Sequence, residues 1–339
     1  MSEPPDSQGS RFSVIVVHYN GLERLTRCLS SLLLTNHPNV EVIVVDNASP
    51  DGSGIAASKL FPNVRFVFRS TNGGYGAGCN EGALVASGTH LVFLNNDTTV
   101  DPDWLARAEE SLRRNRAQVA TPKIVVPGPS HSINAAGGCQ DLLGTAWTRG
   151  NGEPDRGQFD EEEMVFFGSA CLIVDRRAWK KVGPFDETYF MYVEDVDWCW
   201  RAISQGYGVL YVPSAVVYHE WGVADRQRAW VIGFIERNAL RSMIKNHTVV
   251  LVTMLVPPAF LTRAARAFYL RRRSRGISDA ILQSLAWNLR HLGETWSARG
   301  EFSASHAKQH RSAVQMMSPL PFEILVLTGR VTHPHQSLL

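Results

Sequence analysis

The chain has 339 residues, of which 44% are hydrophobic, and a formal net charge of +2 at pH 7. This length exceeds a typical single core without demanding two complete domains, so it indicates one globular catalytic domain with an added segment. The five cysteines are odd in number and scattered, which argues against a disulfide framework or a zinc site and indicates reduced, mostly buried thiols of a cytosolic protein.

The first half of the chain alternates between short β-branched runs and amphipathic stretches. Residues 1–11 are polar, contain two prolines and lack an apolar run, so we expect a disordered lead and not a signal peptide. The predicted strands are 13–17, 40–45, 64–68, 90–94 and 119–125; one predicted helix carries leucines at helical spacing over 22–33, and another opens at Pro102. This order predicts an α/β fold with a mostly parallel sheet flanked by helices.

The second half has a different composition. Residues 127–163 are rich in Gly, Pro, Ser and acidic side chains, which predicts loops. Strand and helix patterns return at 169–174, 176–182, 194–204 and 209–212. No internal repeat is visible in the sequence.

Polar residues close three of the predicted strands. The first strand ends in His18, Tyr19 and Asn20, the second in Asp46, Asn47 and Ser49, and the fourth in Asn95, Asn96 and Asp97. Ligands of such sheets bind where the strands end. Asp46 can accept hydrogen bonds from a planar base and ribose, and Asp97 can hold a hard divalent cation with help from phosphate oxygens and water. We interpret Asp51 and Asp101 as turn or N-cap residues instead.

A glycine-rich loop, 72–80, follows the third predicted strand. Its small residues let a ligand approach the backbone, and the helix that follows has an N-terminus that favours phosphate. It is not a dinucleotide fingerprint, because Cys79 occupies the sixth position counted from Gly74 and the loop does not follow the first strand. A plain turn is the alternative.

The segment 190–201 places three carboxylates among large apolar residues, where solvation is poor. If a helix begins near Val193, Asp197 faces Arg201 at i,i+4 and is neutralised by it. Glu194 and Asp195 lie in the first turn and do not face Arg201, which makes them the candidate catalytic residues. The alternative is an acidic helix start that only complements the helix dipole.

Taken in order, these motifs resemble the nucleotide-sugar glycosyltransferases of the GT-A fold, specifically the bacterial inverting family two and its rhamnosyltransferase-like branch. The resemblance covers roughly 12–241 and rests on VVHYN (16–20), VVDNAS (44–49), NGGYGAGCN (72–80), FLNND (93–97), GSACL (168–172), GPFDE (183–187), FMYVEDVD (190–197) and Val212–Pro213 followed by His219. It implies a Rossmann-like catalytic domain over 12–222, with a nucleotide-binding half at 12–126 and an acceptor-binding half at 127–222. A helical extension over 223–339 would follow.

The resemblance also implies roles for individual residues. Asp46 would contact the nucleobase and ribose, and Asn72 and Asn80 would lie near the nucleotide. Asp97 stands where the last acid of the family's Asp-x-Asp metal motif falls, while Asn95 replaces the first acid, so Mg²⁺ or Mn²⁺ would depend on Asp97, the diphosphate and His219. The remaining members of the expected nucleotide-sugar site are His18, Tyr19, Asn20, Asn47, Ser49, Gly74, Asn95 and Asn96.

Inversion requires a base that takes the proton of the attacking hydroxyl and a cation that stabilises the departing diphosphate. We assign the base to Asp195, with Glu194 as the alternate base or an acceptor-binding residue. The expected donor is a nucleoside diphosphate sugar, with dTDP-rhamnose as the leading candidate, and the expected acceptor is lipid-linked or a polysaccharide. A UDP-sugar donor is one alternative, and a non-catalytic glycan-assembly subunit is another.

The late part of the chain combines apolar and cationic residues. Residues 248–261 are strongly apolar but, at about fourteen residues, fall short of a membrane span. The arginines that follow are Arg263, Arg266, Arg271, Arg272, Arg273 and Arg275. We interpret this region as an interfacial element on an anionic membrane surface, at the inner face of the cell membrane. A helical subdomain with a solvated basic face is the alternative, and no nucleic-acid recognition motif accompanies the arginines. The sequence leaves the oligomeric state open.

Overall fold

The computed structural model describes residues 10–128, 132–220, 229–299 and 310–321. The predicted disordered lead falls almost entirely on residues 1–9, and the predicted boundary at 222 falls within 221–228; both lie outside the described residues. The strands are β1 Phe12–His18, β2 Val40–Asp46, β3 Arg65–Phe68, β4 His90–Asn95, β5 Thr98–Val100, β6 Val119–Val125, β7 Ile133–Ala135, β8 Gly138–Gln140, β9 Ala146–Thr148, β10 Glu163–Val165, β11 Cys171–Asp175 and β12 Val209–His219.

The helices of the catalytic part are α1 Leu22–Leu32, α2 Ser53–Leu60, α3 Gly74–Val85, α4 Trp104–Asn115, α5 Arg176–Val182 and α6 Glu194–Ile203, with a short 3-10 helix at Glu187–Tyr189. The C-terminal helices are α7 Ala229–Asn246, α8 Val249–Leu270, α9 Arg275–Arg290, α10 Leu292–Ser297 and α11 His310–Met316. The described part of 223–339, which the sequence predicts to be a helical extension, is mostly helical.

One mixed sheet forms the centre of the molecule, in the strand order β10-β12-β6-β11-β4-β1-β2-β3. The run β4-β1-β2-β3 is parallel, and so is the pair β6-β12. Strand β11 lies antiparallel between β4 and β6. The predicted α/β fold with a mostly parallel sheet flanked by helices is thus confirmed.

Apolar residues alternate between the two faces of this sheet. In β1, Ile15 and Val17 belong to the core on one face, whereas Val14 and Val16 belong to the core on the other. Helix α1 buries Leu25, Cys28, Leu29 and Leu32 against the second core. Because both faces are covered, β1 is buried along its whole length, as expected for a central parallel strand.

Two regions differ from the sequence prediction. The segment predicted as loops over 127–163 contains β7 to β9 and the first residue of β10, each strand only three residues long and therefore too short to show a periodic pattern. Strand β12 continues past the predicted end at Val212 to His219. The sheet accommodates Pro213, which has no N–H to donate, by a register shift between Val212 and Val216.

Helix α8 is longer than predicted. It continues through Pro257 and Pro258 and has 22 residues, so the argument that the apolar segment is too short to span a bilayer was wrong. By length and composition alone it could cross a membrane, and 17% of its most apolar 18-residue stretch is buried. Arg263 and Arg266 within it bind Glu236 of α7 at 2.7 and 2.5 Å. Two of the six arginines of the predicted cationic cluster are therefore paired inside the fold.

Candidate active site

A cleft of about 250 Å³ opens where the β4 end, the loop before β11 and the start of α6 meet. Its lining residues include Asn95, Asn96, Asp97, Gly168, Ser169, Ala170, Glu194, Asp195 and His219, all of them in motifs noted in the sequence. Ala170 adopts the left-handed conformation, with φ at 59°, directly beside this opening. The structure thus brings the predicted metal residues, the GSACL motif at 168–172 and the predicted bases to one place.

Asp97 and His219 form a pair in this cleft. Asp97 lies in the turn between β4 and β5, and β5 pairs with β12 so that His219 stands opposite Thr98. His219 Nε2 is 3.1 Å from Asp97 Oδ1, and its Nδ1 is 3.1 Å from Asn134 Oδ1. Burial would raise the pKa of Asp97, but the hydrogen bond and charge of His219 outweigh it and lower that pKa. The carboxylate is therefore held in its charged form.

These two side chains fit a shared cation site. Within the described residues, no group of three or more His, Cys, Asp or Glu side chains is arranged to hold a metal. Each ring nitrogen of His219 lies against an oxygen. If Nδ1–H donates to Asn134, Nε2 is left to interact with Asp97, either by a hydrogen bond or as a second ligand of the same cation. Divalent magnesium is commonly held by one or two carboxylates and completes its shell with substrate phosphates and water, whereas imidazole is a ligand of transition-metal ions. Such a partial ligand set matches what the structure presents.

Asp46 and Asn47 end β2 beside β1. Asp46 is opposite His18 in the sheet register and is 5% exposed. Its Oδ1 accepts from the backbone N–H of Ser49 at 3.3 Å, and a Cβ added at Gly54 would lie only 2.4 Å from its Cγ. Helix α2 therefore begins with small residues because Asp46 occupies the space in front of it.

Asn47 organises the glycine-rich loop. Its Nδ2 donates to Asn72 Oδ1 and to the Gly74 carbonyl, both at 2.9 Å, and its Oδ1 accepts from Gly73 N–H at 3.1 Å. Gly74 has a φ of 85°, and a Cβ there would lie 2.0 Å from the Phe190 carbonyl oxygen. The glycine allows the loop to approach the segment before α6, a use of the motif that the sequence did not reveal.

His18 is buried between two polar partners. Its Nδ1 accepts from Asn96 Nδ2 at 3.0 Å, and its Nε2 is 2.6 Å from Ser53 Oγ. Burial lowers the pKa of His18 even though Asp46 and Asp51 act in the opposite direction. A neutral imidazole therefore fixes the amide of Asn96 at the rim of the cleft.

The other predicted nucleotide-site residues are more dispersed. Tyr19 is 42% exposed and Asn20 is exposed, both just after β1. Asn80 donates to the Phe185 carbonyl at 3.0 Å and to Glu187 at 2.9 Å, and accepts from Phe185 N–H at 2.9 Å. All polar atoms of its amide are thus engaged in holding the 183–187 segment. Asp51 accepts from Gly21 and Ser53 N–H groups and Asp101 from Asp103, which confirms the turn interpretation of both.

Glu194 and Asp195 open α6 at the wall of the cleft. Glu194 is 6% exposed, and its Oε2 has no hydrogen-bond partner among the described residues. Asp195 is half-buried and accepts from the Val196 N–H at 2.8 Å. Burial, and then repulsion from Asp195, raises the pKa of Glu194; burial also raises the pKa of Asp195. Adjacent carboxyls of this kind resist double ionisation, so one of them holds a proton more tightly.

Asp197 belongs to a different environment from its two neighbours. It is fully buried and bound by Arg201 at 3.0 Å, which confirms the predicted i,i+4 pair. Lys245 and Asn246 of α7 add contacts at 2.9 and 2.8 Å, and Tyr189 Oη donates at 2.9 Å. These residues were missed by sequence reasoning, because no spacing connects α6 to a helix about fifty residues away.

Comparisons with known proteins show the family of this chain. The model of glycosyl transferase family 2 matches residues 13–183, half of the chain. The N-acetylglucosaminyl-diphospho-decaprenol L-rhamnosyltransferase of Mycobacterium tuberculosis is 33% identical over 229 residues, which cover 61% of this chain and 75% of that protein. The resemblance inferred from the motifs is thereby confirmed.

Two solved structures share the fold. GalNAc-T7 with UDP, GalNAc and Mn²⁺ matches 84% of this chain with a TM-score of 0.58 at 14% identity, and the match spans 58% of its own length. The mannosyltransferase PcManGT from Pyrobaculum calidifontis, in complex with GDP-Man and Mn²⁺, matches 91% of this chain and 84% of its own with a TM-score of 0.52 at 16% identity. These structures show the fold alone; by the match to the family model, the chain belongs to glycosyl transferase family 2.

Proposed function

We propose that this protein is a metal-assisted inverting glycosyltransferase that moves a sugar, with rhamnose from dTDP-rhamnose as the leading candidate, onto a lipid-linked or polysaccharide acceptor. One observation carries the proposal. The two carboxyls that open α6 and the Asp97–His219 pair line the same cleft, so a base and an anion-stabilising site flank one space. The rhamnosyltransferase relative supports the choice of sugar and of a lipid-linked acceptor.

The reaction is a single displacement. The acceptor hydroxyl attacks the anomeric carbon, the bond from that carbon to the diphosphate oxygen breaks, and the hydroxyl proton passes to the base. We assign the base to Asp195, because Glu194 is the more deeply buried of the pair and holds its proton more tightly. Asp97 and His219 would hold a divalent cation, which would supply charge stabilisation for the departing diphosphate. Gly168 and Ser169 line the same cleft, and we place the acceptor beside them.

Nucleotide binding tests the donor half of this proposal. Asp46→Ala should weaken binding of a nucleoside diphosphate about 10- to 100-fold, since it removes charge-assisted hydrogen bonds. Asp97→Ala should weaken it to a similar degree only when Mg²⁺ or Mn²⁺ is present. Calorimetry with metal or with a chelator measures both effects.

The matched control for that experiment is Asp101→Ala, which also removes a carboxylate after a strand, but one that caps a turn. It should leave nucleotide affinity unchanged. Equal affinity in the parent, Asp46→Ala and Asp97→Ala, with and without metal, would show that the site lies elsewhere. A panel of dTDP-, UDP- and GDP-sugars, scored by hydrolysis and thermal stabilisation, identifies the donor and separates an enzyme from a non-catalytic glycan-assembly subunit.

The outer face of α8 supports attachment to a membrane surface. Exposed apolar residues recur every three or four positions along it: Val250, Met254, Pro257, Leu261, Ala265 and Phe268. The exposed arginines Arg271, Arg272 and Arg273 follow directly. Because Arg263 and Arg266 tie the second half of α8 to Glu236, the helix is suited to lie along an anionic inner leaflet.

Replacing Arg271, Arg272 and Arg273 by Ser should weaken binding to phosphatidylglycerol vesicles roughly 100-fold at low salt, since each arginine contributes about 1 kcal/mol near an anionic leaflet. Vesicle flotation measures this. The control replaces Arg113, Arg114 and Arg116, which are exposed at the end of α4, and should bind like the parent. If the parent itself ignores these vesicles at low salt, α8 is a packing element and the membrane proposal is wrong.

A further inference from the structure

The segment Tyr189–Val193, directly before α6, has an unusual backbone. Phe190, Tyr192 and Val193 have φ angles of 63°, 67° and 71°. Residues with a Cβ rarely adopt this conformation, and a β-branched residue such as Val193 does so least readily. A segment of this kind persists only where the surrounding structure holds it in place.

Each carbonyl of this segment is held from outside or by the helix that follows. Phe190 O accepts from Tyr75 N–H at 2.7 Å, and Val193 O accepts from Asp197 N–H at 2.8 Å within α6. Arg237 Nη2 donates to Tyr189 O at 2.7 Å. That carbonyl and the carbonyls of Met191 and Tyr192 also share the two N–H groups of one side chain, Asn238 of α7. Its Nδ2 lies 3.0 Å from Tyr189 O, 2.8 Å from Met191 O and 2.7 Å from Tyr192 O.

The amide of Asn238 is fixed in the orientation that permits these bonds. The residue is fully buried, and its Oδ1 accepts from Arg237 Nε at 2.8 Å. The Arg237 guanidinium is itself held over the rings of Phe234 and Trp287, at 4.5 and 4.7 Å. With the oxygen occupied, the NH₂ group must face the segment. Among side chains of this size, only asparagine offers two N–H donors together with an acceptor.

We infer that Asn238 is a positioning residue, which sets the place of Glu194 and Asp195 by fixing the backbone immediately before them. The inference rests on the proposed function, in which these carboxyls face the acceptor. Val193 is the N-cap of α6, so a rotation within the held segment would redirect the first turn of the helix and both carboxyls with it. The C-terminal helices thereby contribute to the reaction without touching the substrate.

Asn238→Ala should lower kcat about 10- to 100-fold, because a catalytic group displaced by an ångström loses a factor of this size. The KM for the donor should stay within about threefold, since Asp46 and Asp97 lie on other elements. Hydrogen exchange of the 189–196 backbone amides, measured on the full chain without substrate, should become faster.

Ser278→Ala is the matched control. Ser278 is fully buried in the same helical region and donates to the Ala267 carbonyl at 2.8 Å, so its loss also weakens the packing of the extension. At an equal folded fraction in thermal melts, it should retain the parental kcat and the parental exchange at 189–196.

Three results would overturn the inference: parental kcat in Asn238→Ala, a loss of kcat that follows only the unfolded fraction, or unchanged exchange at 189–196. Failure of the proposed function looks different, because the parent would then turn over no nucleotide sugar at all. The exchange measurement needs no substrate, so it reports on the role of Asn238 in either case.

Discussion

Replacing Asp195 by asparagine should lower turnover by about two to four orders of magnitude while donor binding stays nearly unchanged, as expected when a general base is lost. The asparagine has the same shape and can still accept from the Val196 N–H, so the first turn of α6 should remain in place. Rates with saturating donor and acceptor measure the first effect, and calorimetry with the nucleoside diphosphate measures the second.

The pH profile adds a second criterion. Asp195 must be ionised to act, and burial raises its pKa, so the rate of the parent should fall on the acid side at a higher pH than an ordinary carboxyl would give. The residual rate of Asp195→Asn should lack this acid limb. If Glu194→Gln instead shows the loss of two to four orders of magnitude and Asp195→Asn remains nearly active, the base is Glu194.

Asp197→Ala should destabilise the protein by about 3 to 5 kcal/mol, because it leaves the buried cations Arg201 and Lys245 without their shared partner. Urea unfolding measures the change. Asp279→Ala removes an exposed carboxylate 3.9 Å from Arg275 and should change stability by less than about 1 kcal/mol.

The contacts of Asp197 with Lys245 and Arg201 also predict how the stability difference between the parent and Asp197→Ala depends on pH. Burial would raise the pKa of Asp197, but the charges of Lys245 and Arg201 prevail and lower it. A group with a lowered folded pKa stabilises the protein above its unfolded pKa, near 4, and loses that contribution as the pH falls below it. The difference between parent and Asp197→Ala should therefore be full between pH 5 and 7 and should shrink below about pH 4. A difference that persists unchanged at pH 2 would show that Asp197 acts by packing and not by charge.

The sequence correctly predicted the features that depend on residues close together in the chain. The strand ends placed Asp46 and Asp97 on one edge of the sheet because β1 lies between β2 and β4. Helical spacing paired Asp197 with Arg201, and the carboxylates at turns, Asp51 among them, behaved as such. Each of these inferences needs only the period of a helix or strand and the chemistry of its ends.

Long-range contacts were beyond such rules. His219 meets Asp97 only because β5, three residues long, pairs with the last strand, and so short a strand has no visible period. Asn134, which holds the other side of His219, lies in a segment predicted to be loops. No local sequence pattern marks Asn238 as important, because the sequence does not show which backbone carbonyls a helical asparagine contacts. The predicted roles of the site residues, among them Tyr19, Asn20 and Asn80, remain predictions.

The contacts between α6 and α7 determine where a functional fragment of this protein can end. The match to the family model ends at 183, yet Asp197 depends on Lys245, and the segment before α6 depends on Asn238. A fragment cut after the last strand would keep every family motif but lose the side chains that hold the motif at 190–197. The smallest functional fragment of this protein is therefore longer than the region that matches the family model. Chimeras that exchange C-terminal regions between relatives should fail unless α6 and α7 come from the same protein.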